Sequence, residues 1–530
     1  MGPPRFELGT TRSSAERSPG LSYGPSSFIS YSFIMILSGI IKNFLHGMMR
    51  EEHEIREAID FVVAKGARYA DIRIERGYAT VIEVQDGVFR EMSYGIDHGM
   101  GVRVLYGNSW GFASSNESSK PGLRVREAFE DALRIARALA LSSHESESEA
   151  IKLAEAPSIT DHFRLNPKIN PADVSIEEKK SMVKDAYRAA KEYSPLIKSV
   201  SISYLDGYEE RVYANSDGSY IEEVAPAVFT RVYAVAKRGN LLQEGRESTG
   251  AVGGFEVIKA ENPELMSVKA ADKAVRLLDA ELPPAGMFYV IMDPKLTGVF
   301  MHEALGHAAE ADHVLCGESI LSDKLGEEIA YQGLTVADDP TIENSHGYYR
   351  YDDEGIRARR TEMIKEGVLV SFLHTRETAG RFNAEPTSNA RASNYSELPL
   401  VRMSNTVIEP GDSDFEEMRE DIPYGIYAKG MRGGQVDTVR GEFQFSAEEA
   451  FLIEKGELTK RLKNVSLSGR TLDVLKSIDA VGKIKSRGSI GFCGKAGQEV
   501  PVSEYAPHIR VKELMVGGAG TGTMPSPSHR

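Results

Sequence analysis

Two histidines stand five residues apart in H302-E303-A-L-G-H307, on a stretch whose surroundings dictate a helix. Met287 to Met292 is an apolar run of strand length; Asp293 then has the side chain to cap a helix, and Pro294 the fixed φ that suits its first position. The predicted helix runs from Lys295 to Ala311. At about 100° per residue, positions i and i+4 of a regular helix lie about 40° apart, whereas i and i+5 lie about 140° apart. His302 and His307 would then face different ways. One extra residue is what a π-bulge absorbs, and Gly306 offers a place for the helix to loosen.

The two imidazoles have a reason to meet. Paired histidines with an adjacent carboxylate form the donor set of a hydrolytic zinc site, the histidines holding the ion and the carboxylate taking a proton from water. The approach to the motif is apolar (Leu296, Val299, Phe300, Met301), and a glutamate buried between histidines is costly without a cation. A chance pair of helical histidines is therefore the weaker reading. A third ligand is needed. His313 falls six residues after His307, but Glu310 stands where a glycine would have to turn the chain. Glu318, Glu327 and Glu328 offer carboxylates, and Cys316 and Cys493 offer thiolates. Cys493 has the more suggestive neighbourhood, because Gly491, Gly494 and Gly497 let the backbone bend around it, while Cys316 reads as packing. Spacing alone does not choose among them.

These are the only two cysteines in 530 residues, so no disulfide framework exists and a reducing compartment, the cytoplasm, is expected. A net charge of −15 argues against nucleic acid as the main partner. The apolar and charged fractions are those of an ordinary globular protein, with no membrane partner expected.

Residues 1–47 read differently: a Pro/Gly/Ser/Arg-rich opening precedes a short apolar run, Phe28 to Ile41, too short to span a bilayer comfortably. We expect a non-native or disordered extension there, with the working start near Met35, Met48 or Met49. From Glu51 the order is helix, strands, helix, with a hairpin turn at Asp86-Gly87 and a polar break at Gly77. A similar round follows from Ile176, with turns at Asp206-Gly207 and Asp217-Gly218, and Gln243 to Phe255 reads as a glycine-rich loop. The expected fold is α+β: two domains with mixed, mostly antiparallel sheets flanked by helices. Their expected bounds are 48–280 and 281–520, with a disordered tail over 521–530.

Several motifs together resemble one family. HEALGHAAEADHV, the DDEGI from Asp352, MSNTVIEPGD from Met403, KGMRGGQVDTVRGEFQF from Lys429 and GFCGKAGQEVPV from Gly491 look like the TldD subunit of the TldD/TldE (PmbA) metalloproteases, over about Glu51 to Gly518. The resemblance implies one zinc ion per chain held by His302, His307 and Cys493, with Glu303 as general base. It also implies a heterodimer with a TldE/PmbA-like subunit that cleaves unfolded or extended peptides, sometimes by leader removal. From a different class, the alternative is a non-catalytic peptide-binding scaffold whose metal is structural. For the oxyanion the candidates are His346, His374, Tyr505 and His508.

Overall fold

Helix α1, residues 51–64, buries Ile55, Ile59 and Val62 on the first sheet, as its apolar periodicity requires. The computed structural model describes residues 51–116, 121–142 and 151–518. The expected extension over 1–47 and the tail over 521–530 lie outside the described residues. After α1 come β1 (Tyr69–Gln85), β2 (Val88–Tyr106), β3 (Ser109–Ser115) and α2 (Pro121–Ser142). Asp86 and Gly87 join β1 to β2 with φ of 52° and 81°, the conformation an Asp-Gly hairpin takes. Next are β4 (Thr160–Arg164) and α3 (Ile176–Glu192), whose cap Ser175 accepts from the Glu178 amide at 3.1 Å. β5 (Ile197–Asn215), β6 (Tyr220–Arg238), β7 (Leu241–Val252), α4 (Phe255–Glu261) and α5 (Pro263–Leu277) complete this half. The sheet runs β3-β2-β1-β5-β6, and both β4 and β7 pair with β6.

Helix, three strands, helix therefore occurs twice, and the halves meet antiparallel at β1 and β5. Their ladder is centred on Tyr78 opposite Tyr208, and each tyrosine follows a glycine. A Cβ on Gly77 would lie 2.6 Å from the Tyr208 carbonyl oxygen, and one on Gly207 3.0 Å from that of Tyr78. The strands run straight through both glycines, so the break and the turn expected there are absent: these residues are glycine for close approach, not for bending. The same holds for the expected loop at Gln243–Phe255, most of which is β7.

Each half also seats a helix on a glycine of its third strand. A Cβ on Gly111 would lie 1.9 Å from the Ala132 carbonyl oxygen of α2, and one on Gly245 2.0 Å from that of Ala270 in α5. Backbone cannot step aside as a flexible side chain can. Gly245→Ala is accordingly expected to lower stability by about 1–3 kcal/mol, the range for overpacking, measured by urea denaturation. A variant as stable as the parent would show that α5 can lift off the sheet at no cost.

The second half begins with β8 (Gly286–Met292) and α6 (Pro294–Met301). β8 lies in a seven-stranded sheet, five of whose strands close on themselves: Tyr424–Asp437, β8, Ile509–Gly518, Val465–Arg470 and Glu442–Glu454, the last pairing back to the first. A six-stranded sheet runs from Val368–Leu369 at one edge through Thr361–Lys365, Val336–Asp338, Asn405–Ile408 and Gln498–Ala506 to Ser486–Lys495 at the other. Among the described residues the strand pairs are antiparallel except β4 on β6, Asn405–Ile408 on Gln498–Ala506, and Tyr424–Asp437 on β8, so the fold is α+β with mixed, mostly antiparallel sheets. No described helix is long and apolar enough to cross a membrane.

Candidate metal centre

α6 is fixed at its start by Asp293, whose Oδ1 accepts from the Leu296 amide at 2.9 Å and from Gly430 of the neighbouring strand at 2.8 Å. Leu296, Phe300 and Met301 anchor it in the core, the Phe300 ring edge-on to Phe443 at 5.2 Å. At His302 the winding widens: His302–Gly306 is π-helical, and the His307 amide donates to the His302 carbonyl. That bond places i+5 above i. The imidazole centroids are 5.3 Å apart. Gly306 itself has an ordinary helical φ of −57°; a Cβ there would lie 1.9 Å from Met403 Sδ, so the glycine makes room rather than loosening the chain. Beyond His307 the single expected helix gives way to a short 3-10 turn, extended backbone at Glu310, and a separate helix Ala311–Leu315.

Cys493 arrives on the edge strand Ser486–Lys495, which turns into Gln498–Ala506 through Ala496 and Gly497 with φ of 52° and 82°. Its Sγ lies 3.4 Å from His307 Nε2, and the ligand atoms of His302, His307 and Cys493 all fall within 4.8 Å of one another. His302 Nδ1 meets Thr406 Oγ1 at 3.2 Å and His307 Nδ1 meets Glu310 Oε2 at 3.1 Å. Each Nδ1 is thereby occupied and each Nε2 left toward the cysteine. Glu303 is 34 % exposed, its Oε2 3.8 Å from His307 Nε2.

One short segment braces the whole arrangement. The Val401 carbonyl accepts from Lys495 at 3.1 Å; the buried Arg402 guanidinium donates to the carbonyls of Cys493 and Gln498; Met403 fills the space at Gly306; Thr406 holds His302. Thr406 and Met403 lie in the MSNTVIEPGD motif, but their contacts depend on long-range pairing and had no local signal. The other candidates are not part of the trio. His313 faces Glu310 at 3.7 Å and Glu318 at 3.7 Å; Glu327 pairs with Lys324, and Glu328 with Gln332. Cys316 is exposed, so the packing role expected of it is overturned: it caps the short helix at the surface. His374 bonds Thr378 and His508 bonds Tyr427. Tyr505 lies on Gln498–Ala506. His346 is buried between Phe229 and Phe492, the residue preceding Cys493.

Burial alone would raise the Cys493 thiol, yet the His302 and His307 imidazoles bring it down to about 4. Burial likewise opposes charge on His302, and the Cys493 thiolate and then Glu303 outweigh it, lifting that imidazole to about 9. His307 is raised in the same way, chiefly by Glu310. Burial pushes the Glu504 carboxyl up to about 8 despite His302. The thiol and two imidazoles, with the Glu303 carboxylate beside them and Glu310 behind His307, bring donor atoms together at one point, an arrangement a cation would satisfy. The donor set of two nitrogens and one sulfur suits zinc.

On the neighbouring strand Gln498–Ala506, Pro501 pairs with Phe492 and also lines a cavity of about 460 Å³ bounded by Gly77, Ala79, Gly207, Tyr348 and Arg391. The small residues at the centre of the first sheet thus border a cavity that reaches the strand paired with the cysteine strand.

Three family models match the chain: PmbA/TldA metallopeptidase domain 1 over residues 70–140, the central domain over 169–278 and the C-terminal domain over 285–518. A metalloprotease of Methanocaldococcus jannaschii is 48% identical over 442 residues, covering 83% of this chain and 95% of its own length. A zinc metalloprotease TldD homolog of Saccharolobus solfataricus is 31% identical over 459 residues, 86% of this chain and 97% of its own. The solved structure of TldE from Thermococcus kodakarensis shares the fold, with a TM-score of 0.71 at 20% identity over 88% of this chain and 100% of that one.

Proposed function

The chain belongs to the PmbA/TldA metallopeptidase family, and from that premise we propose that it is a zinc-dependent peptidase of the HExxxH type acting on unfolded or extended polypeptides. In this reading one ion per chain is held by His302, His307 and Cys493. The observation that carries it is the meeting of two imidazoles and one thiol within 4.8 Å beside a partly exposed carboxylate. When bound there, zinc supplies a Lewis acid that polarises the scissile carbonyl and lets water react near neutral pH. These three residues would hold the ion with fewer protein donors than the four of a closed structural site, as catalysis requires.

Glu303 is the general base: exposed to the solvent side and close to His307 Nε2, it takes a proton from water and returns it to the leaving amine. Thr406 and Glu310 hold the imidazoles in the orientation that presents Nε2. The strand bearing Cys493 is a sheet edge, so an extended chain can add to it by main-chain hydrogen bonds and pass the donor atoms with little side-chain preference. A compact folded domain has most of its extended segments already paired within its own sheets. We further place a TldE/PmbA-like subunit as the partner, leader removal as one use of the activity, and the reducing cytoplasm as the compartment that keeps Cys493 a thiol.

Chelation is the direct test. Protein dialysed against a zinc chelator is expected to lose hydrolysis of unfolded casein and to regain it on adding about one equivalent of zinc, with a compact folded protein resisting cleavage throughout. Undiminished cleavage by chelated protein would sink the reading.

A further inference from the structure

Next to the trio stands a second group of potential ligands, Glu310, Asp312 and His313, whose donor atoms also lie within 4.8 Å of one another. It already contains a positive charge. Lys495 Nζ donates to Glu310 Oε2 at 3.0 Å, to Asp312 Oδ1 and Oδ2 at 2.8 and 2.7 Å, and to the Val401 carbonyl at 3.1 Å. Glu310 is fully buried, and the Oε2 that receives the ammonium is the same atom that meets His307 Nδ1; its Oε1 is buried with no partner among the described residues. A carboxylate in that position needs a cation, and the unpartnered oxygen is one that an ion would take. Lys495 lies two residues beyond Cys493 on the same strand, so one strand delivers both the thiol and the ammonium.

We propose that Lys495 is the resident cation of this second cluster: it fills a site that would otherwise bind a divalent ion, and by holding Glu310 against His307 it keeps that imidazole aimed at the trio. Lys495 is a positioning residue, acting through Glu310. The proposal rests on the reading that the trio holds the metal. It explains why a buried carboxylate adjoins a metal ligand without capturing the ion itself: the ammonium directs its three N–H donors to Glu310, Asp312 and the Val401 carbonyl and so satisfies the oxygens a second ion would need. Arginine would preserve the charge, and a neutral side chain would not.

The test is cobalt titration of chelator-treated full-length protein, followed by absorbance. Wild type is expected to take one equivalent with a cobalt–thiolate charge-transfer band. Lys495→Met is expected to take a second equivalent that adds no thiolate band, because Glu310, Asp312 and His313 carry no sulfur, and to bind the first roughly ten- to a hundredfold more weakly. Lys495→Arg restores one equivalent, and adding Asp312→Asn to Lys495→Met removes the second. If Lys495→Met does not fold, Lys495→Gln, which retains hydrogen bonds to the carboxylates, gives the same readout. A neutral variant that binds one equivalent with wild-type affinity overturns the proposal. Wild-type protein without a thiolate band overturns the trio instead, and an extra equivalent in Lys495→Met would then still stand for the second cluster.

Discussion

Glu303→Gln is expected to lower kcat for an unfolded polypeptide by about 10²–10⁴-fold, the range for loss of a general base, while leaving the metal content at one ion per chain. The two halves of that outcome have separate causes. Glutamine has the size of glutamate but cannot accept a proton, so the step that turns water into a nucleophile is lost. The donor atoms of His302, His307 and Cys493 are untouched, and Glu303 stands outside the trio with its oxygen 3.8 Å from His307 Nε2. KM should change little if the substrate is held by main-chain pairing along the edge strand. Hydrolysis is followed with a fluorogenic peptide or labelled casein, and zinc by elemental analysis of the same sample. Wild-type turnover in the variant would remove Glu303 from the mechanism. Loss of zinc together with activity would make it a ligand instead.

Cys493→Ser is expected to cost more than a hundredfold in zinc affinity and to abolish turnover at limiting zinc. The thiol sits at about 4 between two imidazoles and so presents a thiolate at neutral pH; a serine hydroxyl in the same place remains protonated and is a poor ligand. The hairpin itself should persist, because the Arg402 guanidinium grips the main-chain carbonyls of Cys493 and Gln498 and takes no hold on the side chain. Circular dichroism separates loss of metal from loss of fold. Equal zinc in the variant and the parent would overturn the ligand assignment.

The difference between what was legible in the sequence and what was not follows the range of the interactions. Asp293 and Pro294 announce the start of α6 because a cap and a first-turn proline are local devices, and the five-residue separation of the histidines announces a π turn because backbone geometry permits little else. Motif resemblance supplied Cys493, where spacing left five competitors open. Glycines misled. Gly77, Gly207 and Gly245 were expected to interrupt strands, and each instead admits a neighbouring backbone that only the folded chain brings near. Lys495, Arg402 and Thr406 had no local signature at all: their roles exist because the edge strand, the brace at Val401–Thr406 and the turn after His307 converge from distant parts of the chain. Cys316 was taken for packing because a lone cysteine is most often a small buried hydrophobe, and its place at the C-terminal end of the short helix Ala311–Leu315 leaves it at the surface.

His307 and Cys493 are 186 positions apart in the chain, which would give a metal held by both a thermodynamic reach beyond its chemistry. An ion gripped by both would close that span in the folded chain with no comparable hold on the unfolded one, so resistance to unfolding would become a function of free zinc: about 2.7 kcal/mol at a hundredfold excess over Kd, and nothing when the ion is withdrawn. Zinc starvation would then do more than silence the enzyme. It would make the idle copies the ones most readily opened and degraded, so that abundance follows metal supply with no regulator beyond the fold.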